Sequence, residues 1–146
     1  MTEAWLRGQD QLTVDVVEGV PMIRVKRVYD PPGPEDGTRI LVDRLWPRGI
    51  AKSAATWTYW MKEVAPSSEL RRWFGHDPQK WRTFLLRYRE ELSEKSSDVA
   101  GLLALVGSGT ITLLHAAREE RYNNAVVLKE YLEARNGAGD AIEGLG

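Results

Sequence analysis

Two short segments of this chain combine residue types that could bind an anion and act on it. The first is residues 43–49 (DRLWPRG), where a proline and a glycine stiffen the turn between two arginines. Guanidinium groups held on a stiff turn suit bidentate binding of a phosphate or carboxylate. We therefore predict that Arg44 and Arg48 hold an anion, and that Asp43 orients one of them or acts as a base.

The same segment also allows a purely structural interpretation. Asp43 could form an ion pair with one of the two arginines and so pin the turn, with Trp46 packed beneath it. An exposed ion pair contributes only about 0–1 kcal/mol, which explains the presence of two arginines poorly. Both interpretations stay open at this stage.

The second segment, residues 115–124, follows an apolar run. His115 is its only side chain of a type that titrates near neutral pH, so we predict it as an acid–base group. We predict that Arg118 and Asn123 bind the ligand, because a helix beginning at Asn123 or Asn124 offers N–H donors and a positive dipole. The alternatives are a hydrogen-bonded wall histidine and asparagines that only cap the helix.

Three apolar runs predict strands at residues 23–28, 39–42 and 110–114. The last run is nearly continuous, which is typical of a strand covered on both faces. Helical spacing dominates the stretch before it and the stretch after it. The predicted helices begin after Ser67 or Ser68, at Asp77-Pro78, at Asp98 and at Asn123 or Asn124, and end at Gly75, near Glu94, at Gly107 and at Asn136-Gly137.

Strands separated by helices favour an α/β fold, with a small, largely parallel sheet and several surrounding helices in a single domain. If the strands before Asp43 and His115 are parallel neighbours, Arg44, Arg48, His115 and Arg118 meet at one rim of the sheet. Open α/β sheets bind ligands at that rim.

The chain divides into three regions. Residues 1–21 form an N-terminal extension whose alternation around Val14 resembles a short edge strand. Residues 22–135 form the α/β domain. Residues 136–146, which include four glycines, are predicted to be a flexible tail.

Composition excludes several classes of chemistry. The chain has no cysteine, so thiol nucleophiles and disulfides are excluded, and two histidines make a metal site improbable. The net charge of -1 provides no overall field toward nucleic acid. We find no apolar run long enough for a membrane span and no signal-peptide pattern. We expect a cytoplasmic protein with no cofactor, no metal and no membrane partner.

Several motifs, in order along the chain, resemble the DUF488 family in its YeaO-like branch. The similar segments are DRLWPRG at 43–49, APS at 65–67, LRRWF at 70–74, HDP at 76–78 with Trp81 and Phe84, RY at 87–88, LHAAR at 114–118 and NNAVVL at 123–128. The resemblance extends over about residues 23–132. It implies a bacterial or archaeal cytosolic protein and carries no accepted activity.

This chain departs from the wider DUF488 family at two places. That family has a cysteine where this chain has His115, and a Cys-His-Arg run where it has Asn123, Asn124 and Ala125. A thiol mechanism in those relatives therefore has no counterpart residue here.

These observations predict a protein that binds a small anionic ligand, phosphorylated or nucleotide-like, and leave open whether it acts on that ligand. The alternative is a non-catalytic nucleic-acid-binding or interaction module. It would use Arg71 and Arg72, with Trp57 and Trp60 as an exposed stacking surface. The near-neutral net charge disfavours this alternative.

Overall fold

The computed structural model describes the backbone of residues 22–145 and the side chains of residues 22–136. The predicted extension over residues 1–21 lies outside this range. The described part contains four strands: β1 (Ile23–Arg27), β2 (Thr38–Leu41), β3 (Tyr59–Trp60) and β4 (Ile111–His115). They form one parallel sheet in the order β1-β4-β2-β3. The predicted α/β fold with a small parallel sheet is thus confirmed.

Strands β2 and β4 lie side by side and end at the same level. Ile40 pairs with Leu113 and Leu41 with Leu114, and the Val42 N–H donates to the Leu114 carbonyl at 3.1 Å. The segment that begins at Asp43 therefore leaves the sheet beside the end of β4. The parallel pairing assumed from the sequence is confirmed.

Four helices follow in the described range: α1 (Ser68–Phe74), α2 (Trp81–Ser93), α3 (Ser96–Ser108) and α4 (Asn124–Leu145). The Ser67 hydroxyl caps α1 by accepting from the Leu70 N–H at 3.1 Å, and Gly75 ends that helix in the left-handed conformation. Asp77 caps the short 3₁₀ turn Pro78–Lys80 that leads into α2. The start and stop signals predicted for α1 and α2 are confirmed.

Three predicted helix boundaries are wrong, the start at Asp98 and the ends at Gly107 and Asn136-Gly137. Helix α3 begins at Ser96 and is followed by Gly109, so Asp98 lies in the first turn, where its negative charge favours the positive end of the dipole. Helix α4 continues past Asn136-Gly137 to Leu145. A glycine inside a helix costs only about 1 kcal/mol relative to alanine, which neighbouring helix formers can offset. That residues 136–146 behave as a flexible tail stays a prediction.

The sheet has a core on each face because successive strand residues point in opposite directions. Ile40 and Leu113 belong to the main core under the helices, whereas Leu41 and Leu114 belong to a small cluster on the other face. The helices contribute the following buried residues to the main core: Leu70, Phe74, Phe84, Tyr88, Leu92, Val99, Leu102, Val106, Leu128, Tyr131 and Leu132. Coverage of β4 on both faces, as its apolar run predicts, is confirmed.

Within the described residues, no helix is both long enough and apolar enough to cross a membrane.

Candidate functional site

A cavity of about 620 Å³ opens beside the carboxyl ends of the strands, and we call it the rim cavity. Its wall is built by the end of β1, by the segments that follow β1, β2 and β4, by α1 with residues next to it, by Phe84 of α2, and by the start of α4. The wall contains five arginines and a single carboxylate, that of Asp43. The arginines are Arg27, Arg44, Arg48, Arg71 and Arg118.

Arg44 is held rigidly in the wall. Its Nε donates to the Pro66 carbonyl at 3.0 Å, and one terminal nitrogen donates to the Ala65 carbonyl at 3.2 Å. These carbonyls lie just before α1, so the side chain ties the end of β2 to the start of that helix. The guanidinium keeps its full positive charge, because neutral carbonyls are its acceptors.

Arg27, at the end of β1, is held in the same manner. Its Nε donates to the Ala117 carbonyl at 3.1 Å and a terminal nitrogen to the Ala116 carbonyl at 3.2 Å. The guanidinium also lies over the Tyr29 ring, 4.8 Å from its centroid. The Tyr29 hydroxyl in turn donates to the Arg48 carbonyl at 2.9 Å, which joins two segments of the wall.

The other three arginines of the wall are exposed. Within residues 22–136, no acceptor or carboxylate pairs with the side chain of Arg48, Arg71 or Arg118. They reach the cavity from three different segments, after β2, in α1 and after β4. An anion bound between them would reduce the repulsion among their charges.

Asp43 ties the strand ends together. One carboxylate oxygen accepts from the Ala116 N–H at 2.8 Å, and the other accepts from the Asn124 side-chain amide at 3.1 Å. Burial raises its pKa, and these hydrogen bonds together with the charges of Arg71 and His76 oppose that rise in part. The ion pair with Arg44 or Arg48 that the sequence allowed is not formed in the described structure.

His115 does not lie in the rim cavity. His115 is the last residue of β4 and is 2% exposed. Burial lowers its pKa to about 4, and the charge of Arg27 adds to this shift. The side chain is therefore neutral at physiological pH and is not among the residues that line the cavity, although Arg27 of the wall lies close enough to affect its pKa, and this position does not favour the predicted acid–base role.

The two asparagines at the start of α4 have distinct partners. The Asn123 carbonyl oxygen caps the helix by accepting from the Val126 N–H at 3.0 Å, and its amide donates to the Glu119 carbonyl at 2.8 Å. The Asn124 amide donates to the Val42 carbonyl as well as to Asp43. Asn123 borders the rim cavity as predicted, but both ends of its side chain already have partners.

The rest of the wall is largely apolar. Phe74 and Phe84 stack with their ring centroids 4.4 Å apart and form part of the lining. Half of the residues that line the cavity are apolar or aromatic, namely Tyr29, Leu45, Trp46, Pro47, Pro66, Phe74, Phe84, Ala116 and Ala117. The cavity thus combines a cationic part with an apolar part.

Of the residues predicted for the site, the structure brings Asp43, Arg44, Arg48, Arg118 and Asn123 together. Sequence reasoning missed Arg27, and it assigned Arg71 to the nucleic-acid alternative. The signal for Arg27 was available, because it lies next to the end of the first predicted strand, much as Asp43 follows the second.

Trp57 and Trp60, predicted as an exposed stacking surface, are only partly exposed. Both pack edge-on against Trp46, with centroid distances of 5.0 and 5.5 Å, over the small cluster on the second face of the sheet. The Trp60 indole also donates to the Asp43 carbonyl at 2.8 Å. These rings support the turn after β2 from behind.

Metal binding finds no support in the described part of the chain. There, no group of three or more His, Asp or Glu side chains is placed to hold a metal ion. The donors that face the rim cavity are mainly guanidinium groups, which attract anions and repel metal cations.

Residues 22–143 match the model of the family DUF488-N3i, which is described as the inactive DUF488-N3 subclade. Among curated proteins, the chain is 43% identical over 113 residues to the uncharacterised protein Rv3073c of Mycobacterium tuberculosis, covering 77% of this chain and 95% of that one. It is 41% identical over 112 residues to the uncharacterised protein YeaO of Escherichia coli, covering 77% and 97%. No solved structure matches it significantly.

The matched residues include the whole described sheet and every segment that lines the rim cavity. Both relatives are covered almost from end to end. The resemblance seen in the motifs is thereby confirmed, and the chain belongs to the DUF488 family, in the subclade described as inactive.

Proposed function

We propose that this protein binds a small anionic ligand, phosphorylated or nucleotide-like, in the rim cavity and does not transform it. The observation that carries the proposal is the charge of the wall, in which five arginines face one carboxylate. A concave wall of low dielectric focuses such a field and concentrates anions inside it.

Arg27 and Arg44 are positioned before any ligand arrives. Each is fixed by two backbone carbonyls, so little side-chain entropy remains to be lost when an anion binds. Neutral acceptors leave the charges uncompensated. Elsewhere in the described structure, the buried Arg39 is instead neutralised by Asp36, which is the usual arrangement for a structural arginine.

The part of the site that can adjust to a ligand consists of Arg48, Arg71 and Arg118. Each is exposed, lines the cavity and has no described partner, so its donors are available to a phosphate. Hydrogen bonds from a guanidinium to a phosphate are charge-assisted and about twice as strong as neutral ones. A phosphorylated ligand would satisfy these donors and remove the repulsion among the three side chains.

The positions of the two predicted catalytic residues favour binding without turnover over catalysis. His115 is neutral and buried outside the cavity, and both carboxylate oxygens of Asp43 already accept hydrogen bonds that join the strand ends. Neither is poised to move a proton on a ligand. The description of the subclade as inactive is consistent with this proposal.

The nucleic-acid alternative is supported less well. Its proposed stacking rings, Trp57 and Trp60, pack against Trp46 on the opposite side of the turn. Arg71, its main cation, faces the cavity. A single-strand binder would instead present its rings and cations together along an open groove.

We expect Arg48→Ala and Arg71→Ala each to weaken binding of ribose 5-phosphate about 10- to 100-fold. This is the range for losing one charge-assisted hydrogen bond worth about 1.5–3 kcal/mol. Isothermal titration calorimetry at low salt measures the change. Both residues are exposed, so the variants should unfold at the wild-type temperature.

Arg82→Ala is the matched control, because Arg82 is an exposed arginine of α2 outside the cavity wall. It should bind ribose 5-phosphate as the wild type does. Equal affinities for the wild type, Arg48→Ala and Arg71→Ala would contradict the proposed placement of the anion.

A further inference from the structure

We propose that the ligand of the rim cavity is an aromatic phosphate, in which a planar ring is attached to or near the phosphate, as in a nucleoside monophosphate. This inference rests on the proposed function and selects among the anions that the arginines alone would accept. A bare phosphate or a sugar phosphate would use the cationic part of the wall and leave the apolar part uncovered.

The size of the cavity is the first argument. Its volume of about 620 Å³ lies within the range of roughly 300–1,000 Å³ typical of sites that enclose a whole organic ligand. An inorganic phosphate would occupy a small part of this space. The remaining wall must face something else in the ligand.

Exposed apolar side chains at the cavity are the second argument. Leu45 is 57% exposed and Tyr29 is 42% exposed, and both line the cavity beside charged arginines. Behind them lie the stacked rings of Phe74 and Phe84, which border the cavity but are themselves buried in the main core. Aromatic rings bind preferentially against such surfaces, where stacking adds to the burial of apolar area.

The hydrogen-bonding groups of the wall are the third argument, because three of them already have partners within the protein. Both ends of the Asn123 amide have partners, the Asn124 amide donates to Val42 and Asp43, and the Asp43 carboxylate accepts from Ala116 and Asn124. A sugar ring that entered the apolar part would therefore leave hydroxyl groups poorly paired, which is costly in a desolvated site. The ribose of a nucleoside monophosphate would instead stay beside the arginines, and the flat face of its base would cover the apolar part.

The ring can also stack on guanidinium planes. Arg27 already lies over Tyr29 at 4.8 Å, which shows that this part of the wall accommodates an arginine against an aromatic face. Arg48 and Arg71 are available for the same contact with a ligand. The same arginines would then bind the ring through the flat faces of their guanidinium groups and the phosphate through their N–H groups.

The test compares adenosine 5′-monophosphate with ribose 5-phosphate, inorganic phosphate and phenyl phosphate by isothermal titration calorimetry on the full chain. We expect adenosine monophosphate to bind at least about tenfold more tightly than ribose 5-phosphate, the effect of one stacked ring. Phenyl phosphate should bind more tightly than inorganic phosphate.

Leu45→Ser should reduce the preference for adenosine monophosphate over ribose 5-phosphate at least threefold. Leu86→Ser is the matched control, because Leu86 is also 57% exposed but lies on α2 outside the cavity. This control should keep the wild-type preference.

The outcomes separate the two proposals. If no phosphate compound binds the wild type, the proposed function fails and this inference fails with it. If ribose 5-phosphate binds as tightly as adenosine monophosphate, only the proposal that the ligand carries an aromatic ring is overturned. The same holds if Leu45→Ser weakens the binding of the two compounds equally. Tighter binding of a 5′-phosphorylated single-stranded oligonucleotide than of adenosine monophosphate would overturn the small-molecule class in favour of a nucleic-acid end.

Discussion

Replacing Asp36 by asparagine should lower the free energy of unfolding by about 3–5 kcal/mol, the usual cost of removing one partner from a buried ion pair. Asp36 is 1% exposed and its carboxylate accepts from Lys26, from Arg39 and from the Gly33 N–H. The asparagine amide would leave the guanidinium of Arg39, itself 5% exposed, without a counter-charge.

The location of this cluster explains why the loss should be large. Lys26 belongs to β1 and Arg39 to β2, so Asp36 connects the strands on either side of β4. The Asp36 carbonyl also accepts from the Thr112 hydroxyl in β4 at 2.7 Å. The cluster therefore helps to fix the alignment of three strands whose opposite ends carry the rim cavity.

Urea denaturation at pH 7 measures this change. Glu35→Gln is the matched control, because Glu35 is the adjacent acid and is exposed. It should alter the free energy of unfolding by less than about 0.5 kcal/mol. Comparable losses for both variants would show that the buried cluster does not stabilise the fold.

The stabilisation that the Asp36 cluster provides also depends on pH. Burial opposes ionisation of Asp36, but the hydrogen bonds from Gly33, Lys26 and Arg39 prevail and lower its pKa from 3.8 to about 2. The unfolded chain therefore takes up this proton first on acidification. The stabilisation is fully present above pH 3.8 and is lost as the pH falls from 3.8 to about 2.

The sheet was predictable because its signals are local and strong. The apolar runs that became β1, β2 and β4 stand out in the sequence, and the ends of two of them led directly to Arg44, Arg48 and Arg118. Strand β3 has only two residues, Tyr59 and Trp60, too few for any alternation to appear. It exists because its backbone pairs with β2, a tertiary contact.

The features that could not be predicted from the sequence depend on long-range contacts or on a single residue at the end of a strand. Asp36, in a proline- and glycine-rich loop, gives no local sign that Lys26 and Arg39 will surround it. His115 is the last residue of β4, but its side chain is buried and is not among the residues that line the rim cavity. Which side chains at a strand end face a cavity depends on the packing around them, which no local sequence pattern specifies.

We expect His115 to make the protein less stable in mild acid. Burial and the charge of Arg27 lower its pKa to about 4, against 6.5 for an unperturbed histidine, while Asp30 and a hydrogen bond with Ala117 oppose the shift. Its Nδ1 is buried and has no hydrogen-bond partner in the described structure. The folded state therefore excludes a proton that the unfolded chain binds readily.

The sign follows from linkage between proton binding and folding. Below pH 6.5 the unfolded chain protonates this histidine, whereas the folded state keeps it neutral until about pH 4. The free energy of unfolding should thus fall by about 3 kcal/mol between pH 6.5 and 4, at 1.36 kcal/mol for each pKa unit of difference. Asp43, whose pKa is raised by burial, contributes in the opposite direction within this window.

Comparison of the wild type with His115→Leu isolates the histidine, because Asp43 and His76 are present in both. His115→Leu should lose about 3 kcal/mol less than the wild type between pH 6.5 and 4 in urea denaturation, whatever its stability at pH 7. His76→Asn replaces the exposed histidine of the cavity, at a positive φ that asparagine tolerates, and should keep the wild-type loss. Parallel pH profiles for the wild type and His115→Leu would mean that His115 takes up its proton equally easily in the folded chain. In that case the histidine would be accessible to solvent, and its exclusion from the proposed site would have to be withdrawn.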